Sequence, residues 1–583
     1  MFNVCSKRTL TQLTVAACLF SGVATPTRVM AEGGLSLAEA VKMTLELSPN
    51  RFIQQANVTS AQAGVTIQEG AFNPTPSAGI SVGQNTQPLN SVVYNAMSGG
   101  PFSRGPFTDI SAGSSITIKN PAVIQDVTNG GMKPANTYAG VYLPGPDARY
   151  HHQDTDLAML HAEISKLFQN GVNATVGLVN TRTVQSNLST STRPNANTSA
   201  VNLNINVPLL KYAGTQSAAG RLNAARKQQE AALEDYKFFL TALANNAISA
   251  YWDYRLAVDS LTIREASRDR VMRITNEVNA FVSSPDPKKE AQLRQQLAQV
   301  IYTTEGARAN KSRMVVDYQQ YMEQARTNFA LTLGVPPEQF NSLPQPSDEI
   351  PDTIIPANFD NNSNRDAWRK AAIANRMDLQ AAKLRQEAAG FIVKKSERDL
   401  NPQVDLNLNV GYQGLDEGNK FDNMMNAFGT NVEGVNWSTG LEFRYPIGNQ
   451  TAEGILDSSK ANYRQAELSV YQKTREIDAG VDVNVGYVNR YVQAIAKAEQ
   501  AVKDYKDALA AWKKTPLTDP SAILGMLQTE AQYTEGLLTV LNIRTEYAKL
   551  VADIRFKTGL LGKTGATPED YTISFNEVSQ LPR

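Results

Sequence analysis

Residues 436–449, NWSTGLEFRYPIGN, decide how this chain folds. As far as Tyr445 the residues alternate. Trp437, Thr439, Leu441, Phe443 and Tyr445 share one face, and Asn436, Ser438, Gly440, Glu442 and Arg444 share the other. A two-residue period of this kind is a strand with one apolar and one polar face. Beyond Pro446 the period changes. No proline follows until Pro516, and Val488, Tyr491, Ile495, Ala498, Val502, Tyr505, Leu509 and Trp512 are spaced three and four apart. That spacing is the seam of a coiled-coil helix. A strand therefore passes directly into a helix that, at roughly 70 residues and about 1.5 Å per residue, is on the order of 100 Å long.

The same join occurs earlier. Val201, Leu203, Ile205 and Val207 alternate with asparagines and end at Pro208. A helix from about Lys211 to Phe281 follows, with Leu233, Tyr236, Leu240, Leu243, Ala247, Ala250, Tyr254, Ala257 and Leu261 on its seam. Each long helix meets a Pro-rich break, 283–287 or 515–520, and a second helix, 288–333 or 521–560, returns. The first return ends at Gly334, a residue type suited to the left-handed position after a helix. Upstream of each strand pair lie two shorter helices. The first copy has 35–47, with Ser36 and Glu39 in the capping-box spacing, and a helix stopped by Asn73-Pro74. The second copy has 364–374 and 376–400, stopped by Asn401-Pro402. Strands with Ala78, Ile80 and Val82, and with Val404, Leu406, Leu408 and Val410, come next, and a further strand is possible at 172–178. The region 84–170 is rich in Gly, Pro, Ser, Asn and Thr, keeps no period, and reads as an irregular insertion. The order is thus a direct repeat. The expected domains are a first repeat at 35–334 carrying that insertion, a linker at 335–361, a second repeat at 362–561 and a polar tail at 562–583.

Composition narrows the function. The 583 residues carry 56 basic and 56 acidic side chains, so no basic excess points to nucleic acid. Lys7 and Arg8, the apolar run from Leu13 to Val23 and the small-residue site Val29-Met30-Ala31 read as an export signal covering 1–31. Val15-Ala16-Ala17-Cys18 also fits a lipoprotein cleavage site with Cys18 lipidated, and that alternative stays open. Cys5 and Cys18 are the two cysteines, so the mature chain carries no disulfide. His151, His152 and His161 fall in the irregular region and read as solvated or structural, not as a metal set. No nucleophile, base and orienting group occur together, and no Gly-rich phosphate loop is present. The expectation is a non-enzyme without cofactor.

Seams of Leu, Ala, Tyr and Val need partners, and the breaks fold each long helix back as an antiparallel hairpin. On helices alone, a structural coiled-coil protein of the envelope, non-conducting, would suffice. The strands argue otherwise. In lipid a sheet must close so that no edge is left unpaired, and the smallest spanning barrels use about eight strands. One chain supplies four clear strands, so closure needs several chains.

The duplicated order resembles the outer membrane efflux protein family, the TolC-like channels. The residues that carry the resemblance are LSLAEAV at 35–41, both Asn-Pro stops with their strands, WSTGLEFRYPIGN at 437–449 and Leu331-Thr332-Leu333-Gly334-Val335, and it covers about 35–561. It implies a mainly helical fold with a membrane β-barrel part: a homotrimer forming a twelve-stranded barrel in the outer-membrane lipid, continued by a twelve-helix tube in the periplasm. It implies docking to a periplasmic adaptor and an inner-membrane pump or ABC transporter, as in tripartite efflux or type I secretion. It also implies a constriction near the periplasmic tips. An aspartate pair narrows the pore in relatives, and the corresponding positions here are Ala522 and Gly525. Asp286, Asp519 and Leu524 are the other tip candidates. Asp519 suits either a ring of acids or a helix cap.

Overall fold

The computed structural model describes residues 34–89, 151–186, 195–282, 291–351, 361–418, 420–429, 433–515, 519–562 and 580–582. The described residues are mainly helical with one antiparallel sheet. In order the elements are α1 Leu37–Leu47, α2 Pro49–Gly70, β1 Thr75–Leu89, β2 His151–Leu167, β3 Asn173–Ser186, β4 Ala196–Pro208, α3 Gly214–Ser217, α4 Gly220–Val282 and α5 Ala291–Leu333. A 3-10 turn at Pro337–Ser342 leads to α6 Asn361–Asn375, α7 Met377–Asp399, β5 Gln403–Glu417, α8 Phe421–Asn426, β6 Glu433–Arg444, α9 Gln450–Trp512 and α10 Pro520–Lys557. The chain divides into two compact units, Val65–Ala224 with Gly390–Ala461, and Met1–Gly64 with Ala225–Ala389 and Asn462–Arg583.

The first of these holds the sheet, a six-stranded meander in the order β1-β2-β3-β4-β5-β6. Every neighbouring pair is antiparallel, and β1 and β6 are its edges. The alternation at 436–445, 404–410, 201–208 and 78–82 forms strands as expected. The count of four does not hold. β2 lies inside the region expected to be irregular, β3 extends well beyond 172–178, and β1 continues to Leu89. Among the described residues the sheet has six strands, two more than the four read as clear from alternation. The reason is local. Leu157-Ala158-Met159-Leu160 is four apolar residues in a row, so β2 does not show the two-residue period that marks a half-buried strand. His161 belongs to this regular element, opposite Gly79, where its ring occupies the space a Cβ would fill at 2.5 Å.

The other unit is built from helices. Ser36 and Glu39 form the capping box on α1. Gly334, at φ +77°, ends α5. One core packs Val41, Ile248, Tyr251, Trp252, Phe329 and Leu333. The segment after α5, expected as a linker, is tied to it through residue 350. Leu343 is buried, Asp348 accepts from Leu37 N at 2.6 Å, and the Tyr251 hydroxyl donates to Leu35 O at 2.9 Å. A second core gathers Trp368, Leu379, Ile477, Val481, Val485 and Val488. The end of the expected polar tail joins it: Trp368 Nε1 donates to Pro582 O at 3.3 Å, and Leu581 is buried. A third core joins Ile274 and Val278 of α4, Val300 of α5, Leu509 of α9, and Ile523 and Met526 of α10.

Candidate functional site

The sheet is a wall with two different faces, and the register defines them row by row. One row runs Pro76, Ile164, Val176, Leu203, Val410, Trp437 across all six strands. The next row, on the opposite face, runs Thr75, Ser165, Thr175, Asn204, Asn409, Ser438. Because side chains alternate, in these rows the first face is apolar and the second polar across all six strands. The apolar band is finite. Toward the 186/196 end the same face carries Gln84, Asp156, Arg182 and Asn197.

Around these rows of the inner strands, the apolar side chains are more exposed than the polar ones beside them. Val201, Leu203 and Val410 are 40, 37 and 49% exposed, and Trp437 is 75% exposed. The neighbouring Asn202, Asn204, Asn407 and Asn409 are only half-exposed. Polar groups on that side bond across strands: Asn206 Nδ2 donates to Asn407 Oδ1 at 2.7 Å, Ser77 to Glu163 at 3.1 Å, and Thr175 to Ser165 at 3.2 Å. An apolar side chain left in water forgoes up to about 1.5–3 kcal/mol of burial. A band of them spanning six strands calls for an apolar surrounding, and closed barrels are the sheet form that lipid permits.

The tip candidates lie on the helical unit. Asp519 is the N-cap of α10. Its Oδ1 accepts from Ser521 N at 2.9 Å and from the Ser521 hydroxyl at 2.6 Å, and these bonds hold its carboxyl below the usual carboxylate range. Ala522 is buried at 2%. Leu524 points outward at 43% exposure. Gly525 is a packing glycine: a Cβ there would meet Trp512 Cζ2 at 2.7 Å, and the indole Nε1 donates to Thr529 at 3.1 Å. Gly525 therefore sits at a joint between α9 and α10, with buried Ala522 one turn before it on α10. Asp286 and Cys18 lie outside the described residues.

One feature of this unit was not found by sequence reasoning. Glu530 is fully buried between three helices. It accepts from Ser267 and Thr534 at 2.7 Å each and from Arg270 at 3.1 Å, and Lys311 Nζ stands 2.9 Å from its other oxygen. Burial pushes its pKa up. Hydrogen bonds from Ser267, Lys311 and Thr534, with the Lys311 charge, outweigh that, and the net shift is downward. The seam spacing of α10 draws attention to Leu527, Ala531 and Thr534 and passes over the carboxylate beside them.

Residues 368–559 match the outer membrane efflux protein family model. No curated protein matches the chain. Among solved structures, the outer-membrane channel OprN shares 13% identity at a TM-score of 0.57, over 90% of this chain and 89% of its own. CusC, a protein whose conformational changes accompany folding and transmembrane channel formation, shares 12% at 0.55, over 90% and 93%. VceC of Vibrio cholerae, an outer membrane protein, shares 13% at 0.54, over 90% and 96%. Residues 368–559 thus resemble the outer membrane efflux protein family, and over 90% of its length the chain shares the fold of solved outer-membrane channels.

Proposed function

We propose that the protein is a passive exit duct, the outer-membrane component of a tripartite efflux or type I secretion assembly. Its two repeats, 35–334 and 362–561, supply the wall and the helices. Three copies close their sheets into one barrel, and their helical hairpins form the periplasmic conduit. A periplasmic adaptor and an inner-membrane pump or ABC transporter supply cargo and energy. The observation that carries this reading is the exposure of the inner strands: Val201, Leu203 and Val410 stand further out than the asparagines beside them. That pattern suits lipid on one face and water on the other. The helical end around Trp512–Met526, packed through Gly525 and Ala522, is the proposed point of closure. Asp519 caps a helix there.

The test is a planar bilayer. Purified trimers, confirmed by native mass, should insert from detergent and conduct in discrete steps. Opening variants at Ala522 should enlarge the steps. A protein that stays soluble without detergent, and whose variants do not conduct, would instead be the structural coiled-coil protein.

A further inference from the structure

We propose that the β2–β3 hairpin, residues 151–186, is part of the membrane wall, so that each copy contributes six strands and three copies close an eighteen-stranded barrel. The proposal rests on the trimeric duct reading and adds the size and make-up of its lumen.

Phase is the first argument. Ile164 and Val176 stand in one row with Leu203 and Val410, and Ser165 and Thr175 stand in one row with Asn204 and Asn409. A register slip of one residue would have turned the hairpin's apolar set to the other face. A hairpin lying outside the wall has no reason to keep this phase.

Length is the second. The strands have 17 and 14 residues, more than the roughly 9–11 that cross a bilayer. Their turn reaches the end of the wall where β4 leaves for the helices. Gly214 N donates to Asn170 O at 2.9 Å. Gly171, at φ +93°, passes so close to Tyr212 that a Cβ would meet its carbonyl oxygen at 2.2 Å. The hairpin therefore runs the full height of the band.

Parity is the third. Inserting two strands keeps the number even, so β1 and β6 still run opposite to one another. A second copy can then be added edge to edge with every neighbour antiparallel. The occupant of each edge is another copy of this chain, because in lipid an open row of backbone donors and acceptors is not tolerated. With a strand spacing of about 4.8 Å and a tilt of about 40°, eighteen strands give a barrel radius of roughly 18 Å, against roughly 12 Å for twelve. Such a duct passes bulkier cargo at the outer membrane, and the hairpin lines it with Glu163, Ser165 and Thr175.

The test uses the full chain in lipid vesicles, where no cysteine follows Cys18 in the natural sequence. Single cysteines are introduced as two adjacent pairs, Glu163→Cys with Ile164→Cys, and Asn202→Cys with Leu203→Cys. A water-soluble maleimide should label positions 163 and 202 at least tenfold faster than 164 and 203. Equal labelling at 163 and 164, with the contrast kept at 202 and 203, would overturn the hairpin's place in the wall and leave the duct intact. Loss of contrast at both pairs would overturn the wall reading itself. Electron microscopy of the three-copy particle in lipid should show a ring about 36 Å across between backbones. A ring of about 24 Å would overturn the strand count alone.

Discussion

The sheet and the helical unit use the same residue types and arrange them in opposite ways. In the helices Ile523, Phe329 and Leu333 are fully buried, and one fully buried charge, Glu530, is surrounded by donors. In the sheet Val201, Leu203 and Val410 of the inner strands are exposed, and Asn202, Asn204, Asn407 and Asn409 beside them are half-buried. The helices hide apolar surface from water; the wall presents it. In the proposed reading one chain meets two solvents, and each unit can be read by which residues it hides.

Four experiments break or sharpen that contrast. The largest expected effect is in the helices. Glu530→Ala leaves Arg270 and Lys311 without their buried partner, which costs about 3–5 kcal/mol. Thermal unfolding followed by circular dichroism checks it. The pH dependence has a definite sign. Because the folded-state pKa of Glu530 is lowered, its stabilisation is present above the ordinary value of 4.5 and is lost as pH falls through the lowered value. Glu530→Gln should flatten the acid limb of the stability curve.

The second effect is in the wall. Leu203→Arg should cost about 2–4 kcal/mol near the middle of the bilayer, whereas Asn202→Arg, one residue away, should cost about 1 kcal/mol or less. Unfolding from lipid vesicles in urea separates them. If both substitutions cost the same, the two faces meet the same solvent.

The third and smaller effect is at the joint of α9 and α10. Gly525→Leu drives a side chain into Trp512, and such overpacking costs about 1–3 kcal/mol. Because it forces the two helices apart, it should also raise open-channel dwell time in planar bilayers.

Much of this was legible in the sequence because periodicity reports the environment directly. The alternation at 201–208, 404–410 and 436–445 gave β4, β5 and β6, and the proline and glycine stops gave helix ends within a few residues. β2 was hidden because its polar-facing positions include Leu157 and Met159, so the apolar run of Leu157–Leu160 erases the two-residue period. The roles of Gly525 and Glu530 were hidden for another reason. Each depends on a residue far along the chain or across a helix pair, Trp512 for the first and Ser267, Arg270 and Lys311 for the second. Spacing along one helix carries no information about them. The second halves of expected loops and tails, Asp348 and Leu581, dock for the same tertiary reasons.

The central claim is that the apolar face of the sheet meets lipid. Of the four tryptophans, Trp252 and Trp368 are buried, Trp512 is packed on Gly525, and Trp437 is 75% exposed on that face. Fluorescence quenching in vesicles of brominated lipid therefore reports on Trp437, with Trp437→Phe as the control. The account predicts strong quenching by brominated acyl chains that the substitution removes, and little quenching of the same component by aqueous acrylamide. Quenching of Trp437 by acrylamide and none by brominated lipid would contradict it.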